Sequence, residues 1–125
     1  ADSNRLLFIA TTANGCPIGQ IRFDRQSLSA NGQASKAFIT LSIDPCSRGL
    51  GLASELLRLG VLAMEKRWGN ATDAVAEVIV SNTASNACFA RAGFELIAAN
   101  TRSLAFPNNN RIVNRWSWKT DLKNR

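Results

Sequence analysis

The segment Ile43–Leu59, IDPCSRGLGLASELLRL, restricts the fold of this chain more than any other stretch. An alternating apolar run stops at Asp44-Pro45, two glycines follow at Gly49 and Gly51, and an apolar helical pattern begins at once. Such a corner joins the end of a strand to the first turn of a helix. The first amides of a helix have no intrahelical partner, and its dipole places partial positive charge there. Glycine leaves those amides unshielded, and Arg48 adds a full positive charge beside them. An anion fits this corner, with a phosphate or diphosphate expected. The plainer reading is a tight strand-to-helix connection that holds no ligand.

Around the corner the hydrophobic period switches between strand and helix values. Arg5–Thr12 is aliphatic and predicts a buried strand. After the turn residues Asn14-Gly15, Pro17 and Gly19, Ile21 and Phe23 alternate with Gln20, Arg22 and Asp24, which predicts a second strand and a hairpin. Arg25–Lys36, with Asn31-Gly32 at its centre, reads as a loop. In Ala37–Asp44, a third strand, Ile39, Leu41 and Ile43 share one face, with Phe38, Thr40 and Ser42 on the other. From Arg48 to about Trp68 two neighbouring apolar stripes predict a helix that stops at Gly69-Asn70. Gly60 inside it costs about 1 kcal/mol against alanine, which implies close packing there.

Ala74–Ser81 is almost continuously apolar, as a central strand is. Asn82–Gly93 predicts a short helix with Asn82 or Thr83 as N-cap and Gly93 just past its end. Two more strands follow, Phe94–Phe106 and Arg111–Thr120, around the turn PNNN. The order β-β-β-α-β-α-β-β predicts a single α/β (α+β) domain over residues 1–125, with a mixed, mostly antiparallel sheet and helices packed on its faces.

Composition narrows the chemistry. Among 125 residues there is no histidine and no tyrosine, which removes Ser-His-Asp, Cys-His and histidine acid–base schemes. The three cysteines, Cys16, Cys46 and Cys88, show no metal-ligand spacing, so no metal site is expected and a reducing, cytoplasmic setting is. No apolar stretch approaches the about 18 residues of a membrane-spanning helix, so no membrane partner is expected. A net charge of +6 suits a polyanionic partner. The arginines, however, are scattered from Arg5 to Arg115 without aromatic interleaving, which disfavours nucleic acid.

The corner lacks the Gly-Lys-Ser/Thr of a nucleoside triphosphate loop. Three strands before it and a hairpin at the end also disagree with a dinucleotide-binding fold. The segment instead resembles the coenzyme A signature of the GNAT superfamily of acyl-CoA-dependent N-acyltransferases, Gln/Arg-x-x-Gly-x-Gly/Ala, filled here by Arg48, Gly51 and Ala53. A second family motif, an asparagine followed by an aromatic and then Gly-Phe, is similar to Asn82, Phe89 and Gly93-Phe94.

The resemblance implies acetyl-CoA as cosubstrate. Its diphosphate would lie beside Arg48 on the amides of Gly49, Leu50, Gly51, Leu52, Ala53 and Ser54. Its pantetheine arm would pair with Leu41, Ser42 and Ile43 as an added strand, where the family sheet splays open. Asn82, Ser85 and Phe89 would border the same arm. Family members often protonate the leaving thiolate with a tyrosine, and here Phe89 holds that place.

Glu77, alone in an apolar strand, is the expected general base, with its pKa raised by burial; Asp24 and Asp44 are weaker candidates. The form Asn82, Ser85, Phe89 and the late hairpin look like enzymes that acetylate amino-sugar nucleotides. Arg22 would then meet a diphosphate, with Trp116 or Trp118 available to stack.

The expected function is therefore direct acetyl transfer from acetyl-CoA to a small amine-bearing acceptor, first an amino-sugar nucleotide. Protein N-terminal amines, other small amines and a non-catalytic acyl-CoA-binding role are the alternatives. The resemblance implies a further first strand and helices before Arg5. Either the chain is a piece of a longer protein, or the acceptor site is open or completed by a partner, and an exposed sheet edge would then favour a homodimer.

Overall fold

The computed structural model describes residues 4–26, 35–44, 51–69, 72–105 and 110–118. Strands β1 (Arg5–Thr11), β2 (Pro17–Arg25) and β3 (Ser35–Ile43) precede helix α1 (Leu52–Trp68). Strand β4 (Thr72–Ile79), helix α2 (Thr83–Arg91), and strands β5 (Glu95–Arg102) and β6 (Ile112–Trp118) complete the expected order. The six strands form one sheet in the order β1-β2-β3-β4-β6-β5. Only the β3–β4 pair is parallel; the other four are antiparallel. The loop around Asn31-Gly32, most of the PNNN turn and residues 45–50 lie outside the described residues.

Strand parity sets the layers. Ile21 and Phe23 of β2 and Ala74, Ala76 and Val78 of β4 share a core with Leu57, Val61 and Met64 of α1 and Phe89 of α2. Both helices thus contribute to one core with the sheet. Leu57, Val61 and Met64 are fully buried, each stabilising by about 1.5–3 kcal/mol. Gly60 lies in the same stripe because a Cβ there would come within 3.0 Å of two Ile21 carbons, the close approach its position implied.

The expectation of a buried first strand fails. β1 is an edge strand: Leu6, Phe8 and Ala10 pack on the core, while Leu7 and Ile9 are 50% and 56% exposed. An apolar run on both parities cannot itself report that only one face is covered. β4, by contrast, is flanked by β3 and β6, as its continuous apolar run predicted.

Candidate functional site

The site arises where two neighbouring strands part. β3 and β4 pair only from Ser35–Thr72 to Phe38–Val75, although β3 runs on to Ile43 and β4 to Ile79. Each strand keeps its other partner, since β2 follows β3 to Ile43 and β6 follows β4 to Ile79. The sheet therefore opens as a V. The edge of β3 from Leu41 to Ile43 faces the gap, beyond the end of the β3–β4 ladder.

A cleft of about 510 Å³ fills this opening. Leu41, Ser42 and Ile43 form one wall, the first turn of α1 from Gly51 to Ser54 lies at its base, and α2 forms the other wall. Gly51 caps α1 with a left-handed backbone, φ 76° and ψ 5°, a conformation that favours glycine. The first α1 bond inside the described residues runs from Glu55 N to Gly51 O at 3.4 Å, and Ser54 Oγ donates to the same carbonyl at 3.2 Å. The amides of Leu52, Ala53 and Ser54 therefore have no intrahelical acceptor and sit at the positive end of a seventeen-residue helix.

α2 is held against the cleft at its N-terminus. Asn82 Oδ1 accepts from Ser85 N at 3.2 Å, which confirms Asn82 as the N-cap and leaves its Nδ2 free of partners among the described residues. Asn86 fixes this turn to the sheet. Its Nδ2 donates to Ile79 O at 3.2 Å and to Asn82 O at 2.9 Å, while its Oδ1 accepts from Asn114 Nδ2 at 3.1 Å and Trp116 Nε1 at 2.9 Å. Gly93 follows α2 with φ 98°, as its position predicted.

Nine of the expected coenzyme residues line the cleft: Leu41, Ser42, Ile43, Gly51, Leu52, Ala53, Ser54, Asn82 and Ser85. Arg48, Gly49 and Leu50 lie outside the described residues. Phe89 does not line the cleft. Its ring is buried at 4% exposure and meets Phe94 edge-on with centroids 5.0 Å apart. The cleft position belongs to Cys88, one residue earlier on the helix and so about 100° around its axis. Burial pushes the Cys88 thiol above its ordinary pKa, against the opposing effect of Arg91. Ala84 and Arg91 escaped the motif reading, yet Ser85, Cys88 and Arg91 recur every three residues, the spacing of one helix face.

Glu77 and Arg22 also lie off the cleft lining. The Glu77 pKa is lowered, not raised. Burial alone would raise it, but donors from Ser103, Leu104, Ala105 and Arg115 stabilise the carboxylate more. Ser103 Oγ is 2.5 Å from Oε1, Leu104 N is 2.7 Å from Oε2, and Arg115 Nη2 is 3.2 Å from Oε2. A carboxylate so occupied is a poor proton acceptor and a good clamp. Asp24, placed between Arg5 and Arg22, is likewise engaged. Trp116 and Trp118 are buried on the helix side, their indoles donating to Asn86 and Glu65, and so cannot stack on a ligand as expected.

Among the described residues no cluster of metal-ligating side chains occurs, and no helix is long and apolar enough to cross a membrane. A search of curated proteins gives no match. Solved structures do resemble the fold. The ribosomal-protein-S5-alanine acetyltransferase from Vibrio fischeri superposes with a TM-score of 0.76 at 18% identity, over 94% of this chain and 63% of that one. Spermidine N-acetyltransferase from Vibrio cholerae, in complex with CoA and spermine, gives 0.75 at 17% identity, over 96% and 68%. The GNAT domain of S. lividans PAT gives 0.69 at 25% identity, over 94% and 62%. This chain spans less than two thirds of the length of the first and third of these proteins. Residues 1–94 match the model of the acetyltransferase (GNAT) family, and the chain belongs to that family.

Proposed function

We propose that this chain binds acetyl-CoA in the cleft between β3 and β4 and transfers the acetyl group to a primary amine. The observation that carries this reading is the parting of β3 from β4 after Phe38–Val75, with α1 amides that have no intrahelical acceptor at its base. The diphosphate rests on the amides of Leu52, Ala53 and Ser54. The pantetheine arm lies along Leu41–Ile43, and Asn82 Nδ2 donates to one of its amide carbonyls. The acceptor nitrogen attacks the thioester carbonyl, a C–N bond forms, the C–S bond breaks, and the thiolate takes up a proton. Phe89, without a hydroxyl and buried in the core, is not its source; in this reading water takes the proton that the acceptor nitrogen loses and passes one to the thiolate. Glu77, occupied by Ser103, Leu104 and Arg115, is not assigned as base.

Charge favours an acceptor that carries an anionic group beside its amine, such as an amino-sugar nucleotide. On the sheet face away from the helices, Asp24 is engaged by Arg5 and Arg22, and Glu77 by Arg115, so a polycation meets no free carboxylate among these pairs. Free thiol released from acetyl-CoA tests the reading, with an amino-sugar nucleotide, an alanine-terminated peptide and spermidine as acceptors. Release above hydrolysis with the anionic acceptor supports it. A chain that binds acetyl-CoA yet releases no thiol with any amine is a binding module, and the transferase reading fails.

A further inference from the structure

Gly19 reads as a turn residue in the sequence but stands inside β2, opposite Ala10 of β1 and Ile43 of β3. Glycine weakens the interior of a strand relative to alanine, so its presence there calls for a cause. Backbone conformation is not the cause, because Gly19 lacks the positive φ of Gly15, Gly51, Gly69 and Gly93. Space is. A Cβ at Gly19 would lie 2.7 Å from Ile43 Cδ1, 3.1 Å from Ser42 O and 3.4 Å from Leu56 Cδ2. Directly opposed residues of an antiparallel pair share a face, and the end of the Ile43 side chain leans back over β2 into the hollow that Gly19 leaves.

Ile43 is also part of the cleft wall, whereas Gly19 is not among the lining residues. At Ile43, β3 still has β2 on one side, but on the other its ladder with β4 has ended at Phe38–Val75. The end of the Ile43 side chain thus has the Gly19 hollow on one side and the open gap on the other. Toward the helix layer it meets Leu56 of α1, whose Cδ2 borders the same hollow. Filling the hollow therefore displaces the Ile43 methyl into the gap. An isoleucine end group reaches another staggered rotamer at small cost, so the fold tolerates this shift better than a ligand in the cleft does.

Resting on the coenzyme reading above, we propose that Gly19 is a positioning residue of the cleft: the hollow over it holds the Ile43 side chain out of the path of the pantetheine arm, without touching the ligand. Calorimetric titration of acetyl-CoA into the wild type, Gly19→Ala, Ile43→Val and the double variant tests it, at a temperature where helicity shows each to be folded. Ile43→Val removes Cδ1, the atom that the new Cβ meets first. Gly19→Ala should weaken binding about tenfold in the wild-type background and less than about twofold in the Ile43→Val background. A folded Gly19→Ala that binds as the wild type does overturns the proposal. An equal loss in both backgrounds also overturns it, because the effect then passes through the β3 backbone at Ser42 and not through the Ile43 side chain. A Gly19→Ala chain that does not fold assigns the hollow to the sheet alone, and the proposal falls. Each of these results leaves the coenzyme reading standing; a wild type that binds no acetyl-CoA sinks that reading and the positioning role together.

Discussion

Arg115 stands directly across from Glu77 in the β4–β6 ladder, and its Nη2 lies 3.2 Å from Glu77 Oε2, with the two side chains only 11% and 7% exposed. The same carboxylate accepts from Ser103, Leu104 and Ala105, so it ties the chain after β5 to the centre of the sheet. Because its folded pKa lies below the ordinary 4.5, its contribution is complete above that value and is lost as pH falls through the folded one. Urea unfolding of the wild type should therefore lose stability from about pH 5 downward. Glu77→Gln leaves Arg115 without its counter-charge and should cost roughly 1–3 kcal/mol at pH 7 while flattening that acid limb. Equal acid sensitivity in both proteins would show that the clamp is not the titrating element.

Gly60→Ala tests the packing of α1 on β2. Helix propensity alone predicts a gain of about 1 kcal/mol. Against it, the new Cβ meets two carbons of the fully buried Ile21 at 3.0 Å each. Overpacking of this kind costs about 1–3 kcal/mol. The variant should unfold at lower temperature than the wild type, and Ile21→Val, which removes one of the two contacting carbons, should relieve part of the loss. A more stable Gly60→Ala would mean that Ile21 shifts freely.

Asn86 joins α2 to β4 and β6 through both of its side-chain atoms. Asn86→Ala strands the Trp116 indole N–H and removes the acceptor of Asn114 Nδ2, while Ile79 O and Asn82 O keep backbone donors, at a cost of about 1–3 kcal/mol. The turn that carries Asn82 and Ser85 loses its anchor, so acetyl-CoA affinity should fall several-fold at a temperature where the variant is still folded. Lost stability with unchanged affinity would confine Asn86 to the fold.

Local pattern was enough for much of this structure. Glycine placement marked Gly93 as the residue past the end of α2, and apolar periods located both helices and the central place of β4. The remainder turned on facts a local window does not hold. Phe89 and Cys88 differ by one residue, and which of them faces the cleft depends on how α2 is rotated against the sheet. The fate of Glu77 was decided by Ser103, Leu104 and Ala105, which return to it from a distant part of the chain. Burial alone would have raised its pKa as expected; with these donors and Arg115 it falls. The exposure of Leu7 and Ile9 likewise reflects the edge position of β1 and not its composition.

The central claim is that the base of the cleft binds the phosphates of acetyl-CoA, and Gly51 gives the most direct access to it. A Cβ there meets nothing within 4 Å, so substitution strains only the left-handed backbone. Asn and Asp tolerate that backbone best among residues with side chains and share a shape, which leaves charge as the difference between them. Calorimetric titration of acetyl-CoA into the wild type, Gly51→Asn and Gly51→Asp is the measurement. The prediction is wild-type binding in roughly the micromolar range, a loss of about tenfold or less in Gly51→Asn, and more than about hundredfold in Gly51→Asp. Equal affinities for Gly51→Asp and Gly51→Asn, with both variants folded, would contradict the claim that an anion sits at this corner.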